Sequence, residues 1–326
     1  MLTSDQFQPF SAPRKTRLNV LPSHDQEQQE DQVVGPGRFP SWLHRPLSKG
    51  NGLGNTGKIL TTHRLHTVCE EAKCPNLLEC WSHQTATFLA MGKACTRNCG
   101  FCDIDFNQKP APLEADEPQR VAESVKALGL KHVVITMVAR DDLTDGGSAH
   151  LVQIMQEVRA QNPGTTVEVL TSDFAGQIEA WNTILVAKPE IFNHNIETVR
   201  ELSPRVRHRA TYDRTLALLN YMASHRTHTY PKIKSGLMVG LGETDEQVFQ
   251  TLRDLKEAGC EIVTMGQYLQ PNRQKLRVKA FVTPEQFKRY ETFGYEIGLS
   301  YLYCGPFVRS SYNANLVLEN VTINSA

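Results

Sequence analysis

From about residue 85 the chain alternates short apolar runs, bounded by turn residues, with longer amphipathic stretches. No other feature narrows the fold as far, because this is the rhythm of successive βα units. Strands are expected at Thr87–Met91, His132–Val138, Thr166–Leu170, Glu190–His194, Gly236–Val239 and Glu261–Gly266. Helices are expected near 118–129, 148–161, 176–187, 213–225, 245–259 and 284–298. Their starts carry caps: Thr244 before Asp245-Glu246, Asp213 before 214–225, and Thr283-Pro284. Six βα units in a row predict an α/β fold, a partial (β/α)6 TIM-like barrel rather than eight closed strands. The 326 residues suit one such barrel with extensions. Barrels of this kind keep their chemistry at the C-terminal ends of the strands. Segments Gly92–Phe106, Ala139–Gly147, Asn195–Val199, Gly240–Glu243 and Gln267–Pro271 are therefore expected around one mouth.

The flanks read differently. Residues 1–38 are polar and rich in Gln, Glu, Asp and Pro, too poor in apolar surface to offset ordering entropy, so a disordered tail is expected. Residues 39–84 form an N-terminal extension, whose first part, to about residue 60, reads as a glycine-rich arm or loop lying on a surface (Gly50, Gly52, Gly54, Gly57). The barrel is assigned to 85–300 and a C-terminal extension to 301–326. Lys+Arg and Asp+Glu both total 35, so no global field draws the chain to nucleic acid. The longest apolar run, about Val133 to Ala139, is far short of the roughly 20 residues of a membrane span. No apolar segment follows Arg14, Lys15 and Arg17 to make a secretory signal; Asp25, Glu27, Glu30 and Asp31 argue against a transit peptide beyond the first two dozen residues, which the sequence leaves open to that reading. A cytoplasmic or equivalent reducing compartment is expected, with no nucleic-acid or membrane partner.

Six of the eight cysteines fall between Cys69 and Cys102. Clustered cysteines in a reducing compartment point to metal ligands rather than disulfides. Cys260 and Cys304, among apolar residues, read as small buried side chains. Cys95, Cys99 and Cys102, spaced C-x3-C-x2-C, directly follow the first expected strand. Three thiolates on one loop can each reach a different iron of a [4Fe–4S] cube, whereas a ferredoxin-type cluster takes four. The missing ligand leaves one iron open to the amino and carboxylate groups of S-adenosylmethionine. The competing reading is a zinc site completed by a residue such as His83. Upstream, Cys69, Cys74 and Cys80 form a second set of three. These cysteines suit either a structural zinc completed by His66 or His83, or a second cluster with a fourth ligand from a distant segment.

Both cysteine sets, in this order and spacing, resemble the lipoyl synthase family of the radical S-adenosylmethionine superfamily. So do Arg140-Asp141-Asp142-Leu143 with Asp145-Gly146-Gly147, the run Phe192 to Val199, the run Lys234 to Thr244, Met265 to Pro271, and Gly305 to Tyr312. The resemblance covers about Phe39 to Ala314. It implies two [4Fe–4S] clusters: one on Cys95, Cys99 and Cys102 that cleaves S-adenosylmethionine to a radical, and an auxiliary one on Cys69, Cys74 and Cys80 that is dismantled to supply sulfur. The implied substrate is an octanoyl chain on a lysine of a lipoyl carrier domain, such as a 2-oxoacid dehydrogenase E2 subunit or the glycine cleavage H protein. An electron donor such as ferredoxin or flavodoxin is implied too. The family's fourth auxiliary ligand is a serine of the Arg309-Ser310-Ser311-Tyr312 string. Ser311 is favoured over Ser310, although the sequence does not separate them.

The remaining polar residues have bland and sharp readings. Asn195 and Glu197 follow a strand, where they either cap the next helix or bind the ribose and ammonium groups of S-adenosylmethionine. The run Arg205, Arg207, His208, Arg209 is ordinarily a solvated face that steers an acidic carrier, but one arginine, assigned as Arg207, suits the methionine carboxylate. Arg140, Asp141 and Asp142 stand where many relatives place a Gly-Gly-Glu string, so Arg140 is a candidate cofactor contact. Asp145-Gly146-Gly147 reads as a tight turn, and Gly240 and Gly242 as close packing. The rival functions are another radical sulfur-inserting enzyme, biotin-synthase-like or methylthio-transferring, and a non-catalytic iron–sulfur or zinc module. Neither rival predicts the second cysteine set together with Arg309–Tyr312.

Overall fold

The computed structural model describes residues 39–44, 52–227 and 230–314; the tail expected at 1–38 and the last part of the C-terminal extension lie outside the described residues. In chain order the strands are β1 His66–Thr67, β2 Thr87–Ala90, β3 Ala94–Cys95, β4 Asp105–Phe106, β5 His132–Met137, β6 Thr166–Leu170, β7 Ile191–Asn193, β8 Lys232–Val239, β9 Ile262–Gln267 and β10 Tyr301–Gly305. Among the described residues eight of these form one sheet, in the order β1-β2-β5-β6-β7-β8-β9-β10, and β3 pairs with β4 apart from it. From β2 to β10 every pairing is parallel, and spatial order follows chain order without reversal. Right-handed crossovers in such a singly wound sheet all fall on one face, so the sheet curls towards a barrel instead of being sandwiched flat.

The crossover helices span Glu117–Leu128, Ser148–Gln161, Ile178–Val186, Tyr212–His225, Asp245–Glu257 and Pro284–Glu296. Thr244 opens the fifth with a capping box, its hydroxyl taking the Gln247 N–H while the Gln247 side chain takes the Thr244 N–H, and Thr283 caps the sixth. The fourth departs from expectation. Its cap is Thr211, which accepts from Arg214 N, and Asp213 lies in the first turn, where its charge favours the helix dipole.

Two further departures concern the extensions. The glycine-rich piece is not a loop: Gly52–Thr62 is a helix packed on the short helix Leu77–Ser82. Leu60 is buried, the Thr56 hydroxyl donates to Trp81 O at 2.9 Å, and a Cβ on Gly57 would lie 3.1 Å from the Trp81 ring. Glycine at 57 is thus the space that lets the indole lie against the helix. The parallel sheet also continues past residue 300, because β10 extends it beside β9 along five residue pairs. At the other edge β1 adds to β2 antiparallel. No helix among the described residues is long and apolar enough to cross a membrane.

Burial explains the strands. All residues of β2 and β9 are buried, as in parallel strands covered on both faces. Strand β8 begins four residues before its expected start, and includes Lys232 and Lys234, both buried. Lys234 is wholly enclosed and donates to Glu168 of β6 at 2.8 and 3.0 Å; Glu168 also accepts from Asn193 Nδ2 at 3.0 Å. Burial alone would raise the Glu168 carboxyl, but Lys234 and His132 outweigh it and hold the group below its usual range.

Candidate active site

The loop after β2 is fixed by hydrogen bonds on both sides. Thr96 donates N–H and hydroxyl to Ala139 O at 3.0 and 2.9 Å, and takes the N–H of Asp141 at 3.0 Å. Arg97, almost wholly buried, forks onto Asp141 at 2.8 and 2.6 Å and reaches Asp173 at 2.6 Å. Gly100 donates to Val206 O at 2.9 Å and accepts from Leu276 N at 3.0 Å, so the loop is stitched between two neighbouring segments of the mouth. This is the loop that bears Cys95, Cys99 and Cys102. The N–H of Arg97 points at Cys95 Sγ at 3.4 Å, a backbone donor suited to a metal-bound thiolate. Burial pushes the Cys99 thiol up to about 11 and Cys102 to about 12. Such thiols would be thiolates only with a metal in the proton's place.

Across the mouth, the segment after β7 brings three expected residues together. Asn195 Nδ2 donates to Glu197 Oε1 at 3.1 Å, and Arg207 Nη1 donates to the Asn195 carbonyl. Arg207 is buried and its charge acts on Cys99, whereas Arg205, His208 and Arg209 are exposed. The structure therefore splits the basic run into one inward residue and a solvated remainder. Asn195 and Glu197 do not cap a helix. Glu197 has φ +67°, a left-handed conformation uncommon for a glutamate, and bridges to Leu237 of β8. Burial raises its carboxyl above the ordinary range, with Arg207 and Asn195 pulling it back.

His194 is a residue that sequence reasoning missed. Its Nδ1–H donates to Thr171 O at 2.8 Å, leaving Nε2 to accept from Arg207 Nη2 at 3.1 Å. Burial and Arg207 push it down to about 3, so it stays neutral and aims the guanidinium. Only its place beside Asn195 hinted at this. Arg140 is not brought to this group: its side chain is buried and forks onto Asp142, 2.8 Å for each bond. Asp145 accepts from Gly147 N and Ala149 N at 3.0 and 2.9 Å, the expected turn into a helix. A Cβ on Gly240 would lie 2.5 Å from Ala280 O, which makes that glycine a close-packing residue.

The second cysteine set lies where the two extensions meet. Cys69, Cys74 and Cys80 line one small cavity with Asn76, Thr85, Ala86, Thr87, Arg309, Ser311 and Tyr312. Burial pushes the Cys69 thiol up to about 11. Asn76 Nδ2 donates to Phe307 O at 2.7 Å and the Tyr312 hydroxyl to Glu79 Oε1 at 2.9 Å, clamping the C-terminal string onto the arm. Of the two candidate serines, Ser311 faces the cysteines, while Ser310 donates to Asn195 Oδ1 at 2.9 Å. The donor set, three thiols and one hydroxyl around a common space, fits a four-iron cluster. His83 is exposed, and His66 pairs with Glu71 at 3.1 Å. Among the described residues no three His, Cys, Asp or Glu side chains are grouped for a single ion. All eight cysteines are described and none forms a disulfide.

Residues 89–265 match the Radical SAM superfamily model. A lipoyl synthase of Protochlamydia amoebophila (strain UWE25) is 66% identical over 94% of this chain and 95% of that relative. One of Chlamydia felis (strain Fe/C-56) is 49% identical over 93% and 96%. Among solved structures, methylornithine synthase (PylB) superposes with a TM-score of 0.51 at 13% identity, covering 73% of this chain and 80% of that one. That likeness speaks to fold alone, and it agrees with the partial barrel.

Proposed function

This chain belongs to the lipoyl synthase family of the radical S-adenosylmethionine superfamily, and from that we propose how its own residues divide the labour. It is a radical sulfurtransferase that acts on octanoylated lipoyl carriers and uses S-adenosylmethionine and [4Fe–4S] chemistry. Cys95, Cys99 and Cys102 hold one cluster; Cys69, Cys74, Cys80 and Ser311 hold a second. When bound, the first supplies the electron that cleaves S-adenosylmethionine to a 5′-deoxyadenosyl radical, and the second supplies both sulfurs. Glu197 takes the ammonium group of S-adenosylmethionine, Arg207 its carboxylate, and Asn195 its ribose edge. His194 keeps Arg207 in place by accepting from it while remaining uncharged. Arg140 serves the site indirectly, by ordering the loop after β5 through Asp142. Ser311 would offer the cluster a hard oxygen beside soft thiolates, the donor of the four least matched to iron.

One observation carries this division: a single cavity is shared by the upstream cysteines and Ser311. We assign the physiological carriers to the 2-oxoacid dehydrogenase E2 subunits and the glycine cleavage H protein, the donor to a ferredoxin or flavodoxin, and the compartment to the cytoplasm. The deciding experiment is anaerobic incubation of reconstituted protein with an octanoylated carrier peptide, S-adenosylmethionine and reductant, followed by mass spectrometry. Addition of two sulfurs to the octanoyl chain is expected. A peptide returned unchanged while 5′-deoxyadenosine accumulates would count against the sulfur-donor assignment.

A further inference from the structure

The Asn195 amide is held at both ends. Its Nδ2 donates to Glu197 Oε1 at 3.1 Å, and its Oδ1 accepts from the Ser310 hydroxyl at 2.9 Å. The direction of the relay follows from Glu197. With Glu197 ionised beside the Arg207 guanidinium, the turned-over amide would set its own oxygen against the Glu197 oxygens, two acceptors facing each other, so the carbonyl end points at Ser310 and Ser310 is the donor. Gly236 makes the room. A Cβ there would fall 2.8 Å from Thr264 Oγ1, 2.9 Å from Asn195 Oδ1 and 3.1 Å from Ser310 Oγ, so three oxygens crowd around a position only a glycine vacates. Thr264 Oγ1 is buried with no hydrogen-bond partner, which leaves Ser310 as the hydroxyl that holds the amide. Ser310 sits beside Ser311, whose side chain lines the cavity of the upstream cysteines.

Resting on the assignment of Asn195 and Glu197 to S-adenosylmethionine, we propose that Ser310 is a positioning residue for that cofactor: its hydroxyl locks the Asn195 amide, and through it the Glu197 carboxyl, in the binding orientation. The adjacent serines thus serve different sites. Ser311 faces the sulfur source and Ser310 faces the radical site, so the C-terminal string bears on both at once.

The test uses equilibrium binding of S-adenosylmethionine to the reconstituted, unreduced protein, so that no turnover enters, with iron counted in every variant. Ser310→Ala should weaken binding roughly five- to tenfold, the loss of one net hydrogen bond, with the iron of both clusters retained. Asn195→Ala should weaken it at least as much, and the double variant should be no weaker than Asn195→Ala alone, because Ser310 acts only through that amide. Wild-type affinity in Ser310→Ala overturns the proposal, as does a double variant whose losses multiply in full. Loss of the auxiliary iron from Ser310→Ala with affinity intact also overturns it and makes Ser310 the ligand. Should Asn195→Ala itself bind normally, the assignment of Asn195 falls, and the positioning role falls with it.

Discussion

Neighbouring residues with the same side chain, or the same charge, meet different surroundings here. Ser310 and Ser311 diverge because the string crosses between two sites, and only one hydroxyl can face each. Arg207 turns inward onto Asn195 and His194, while Arg205 and Arg209 lie at the surface, Arg209 beside Asp141 at 3.7 Å. Burial holds the Arg207 guanidinium below its usual range, and Glu197, the largest opposing influence, offsets only part of that cost. From the Ser311 assignment we predict that Ser311→Ala still forms 5′-deoxyadenosine but makes no lipoyl product, because the radical-site cysteines are untouched. Ser311→Cys should form a tighter thiolate bond and release sulfide more slowly. Liquid chromatography of both products, with iron counted, separates the cases, and wild-type lipoyl formation in both variants would remove Ser311 from the ligand set.

At the scale of elements, close approach decides more than propensity. Gly266 in β9 lies under the returning C-terminal string: a Cβ there would sit 2.0 Å from Val308 O and 2.9 Å from the Arg309 guanidinium. Gly266→Ala should therefore lift residues 306–311 off the strand and draw Ser311 away from the cysteines. The expected result is loss of about four of eight irons with S-adenosylmethionine cleavage preserved; full iron content would show that the string had adjusted. The buried pair of β6 and β8 gives a second prediction. Lys234→Met leaves Glu168 enclosed without its counter-charge and should destabilise the fold by about 3–5 kcal/mol, read as a shift in the denaturant midpoint. Because Glu168 is held below its usual range, the stability it contributes is present above its unfolded pKa and lost as pH falls through the folded one. The wild type should lose that share in acid. Much of this layer was legible in the sequence. All six expected strands and six helices exist, since apolar period and caps are local signals. What was not legible depends on partners far along the chain. Lys232 and Lys234 disguise the start of β8 because their acids, Glu261 and Glu168, lie on other strands or at their ends. Gly52–Thr62 looks like a loop until Trp81 supplies the surface that pays for its glycines. The two cysteine sets could be picked out as candidates because their spacing is local; the contacts of His194 and Ser310 join segments far apart in the chain and could not.

For the whole molecule, the two edges of the parallel run are where the extensions are joined. The arm that precedes β2 and the string that follows β10 come from opposite edges of the parallel run, and they meet at Asn76–Phe307 and Glu79–Tyr312. A barrel closed by its own strands would leave no such seam for a second site. The arm is also tied to the radical loop: Lys73, one residue before Cys74, bridges to Asp103, one residue after Cys102, at 2.7 Å. Asp103 is held from its other side by Asn272 and is nearly buried, with 8% of its side chain exposed, whereas Lys73 is 58% exposed. A half-exposed pair of this kind contributes about 1 kcal/mol, too little to govern folding but enough to change the share of time the arm spends docked by a factor of about five. We therefore predict that Lys73→Met keeps both clusters and the melting temperature, yet couples radical formation to sulfur insertion poorly. The readout is 5′-deoxyadenosine formed per lipoyl group, which should rise several-fold above the one per reacting carbon that tight coupling gives. High salt should raise the same ratio in the wild type by screening the bridge, and should have little further effect on the variant. If the ratio in Lys73→Met matches the wild type at every salt concentration, the bridge is a surface pair that leaves the two sites independent.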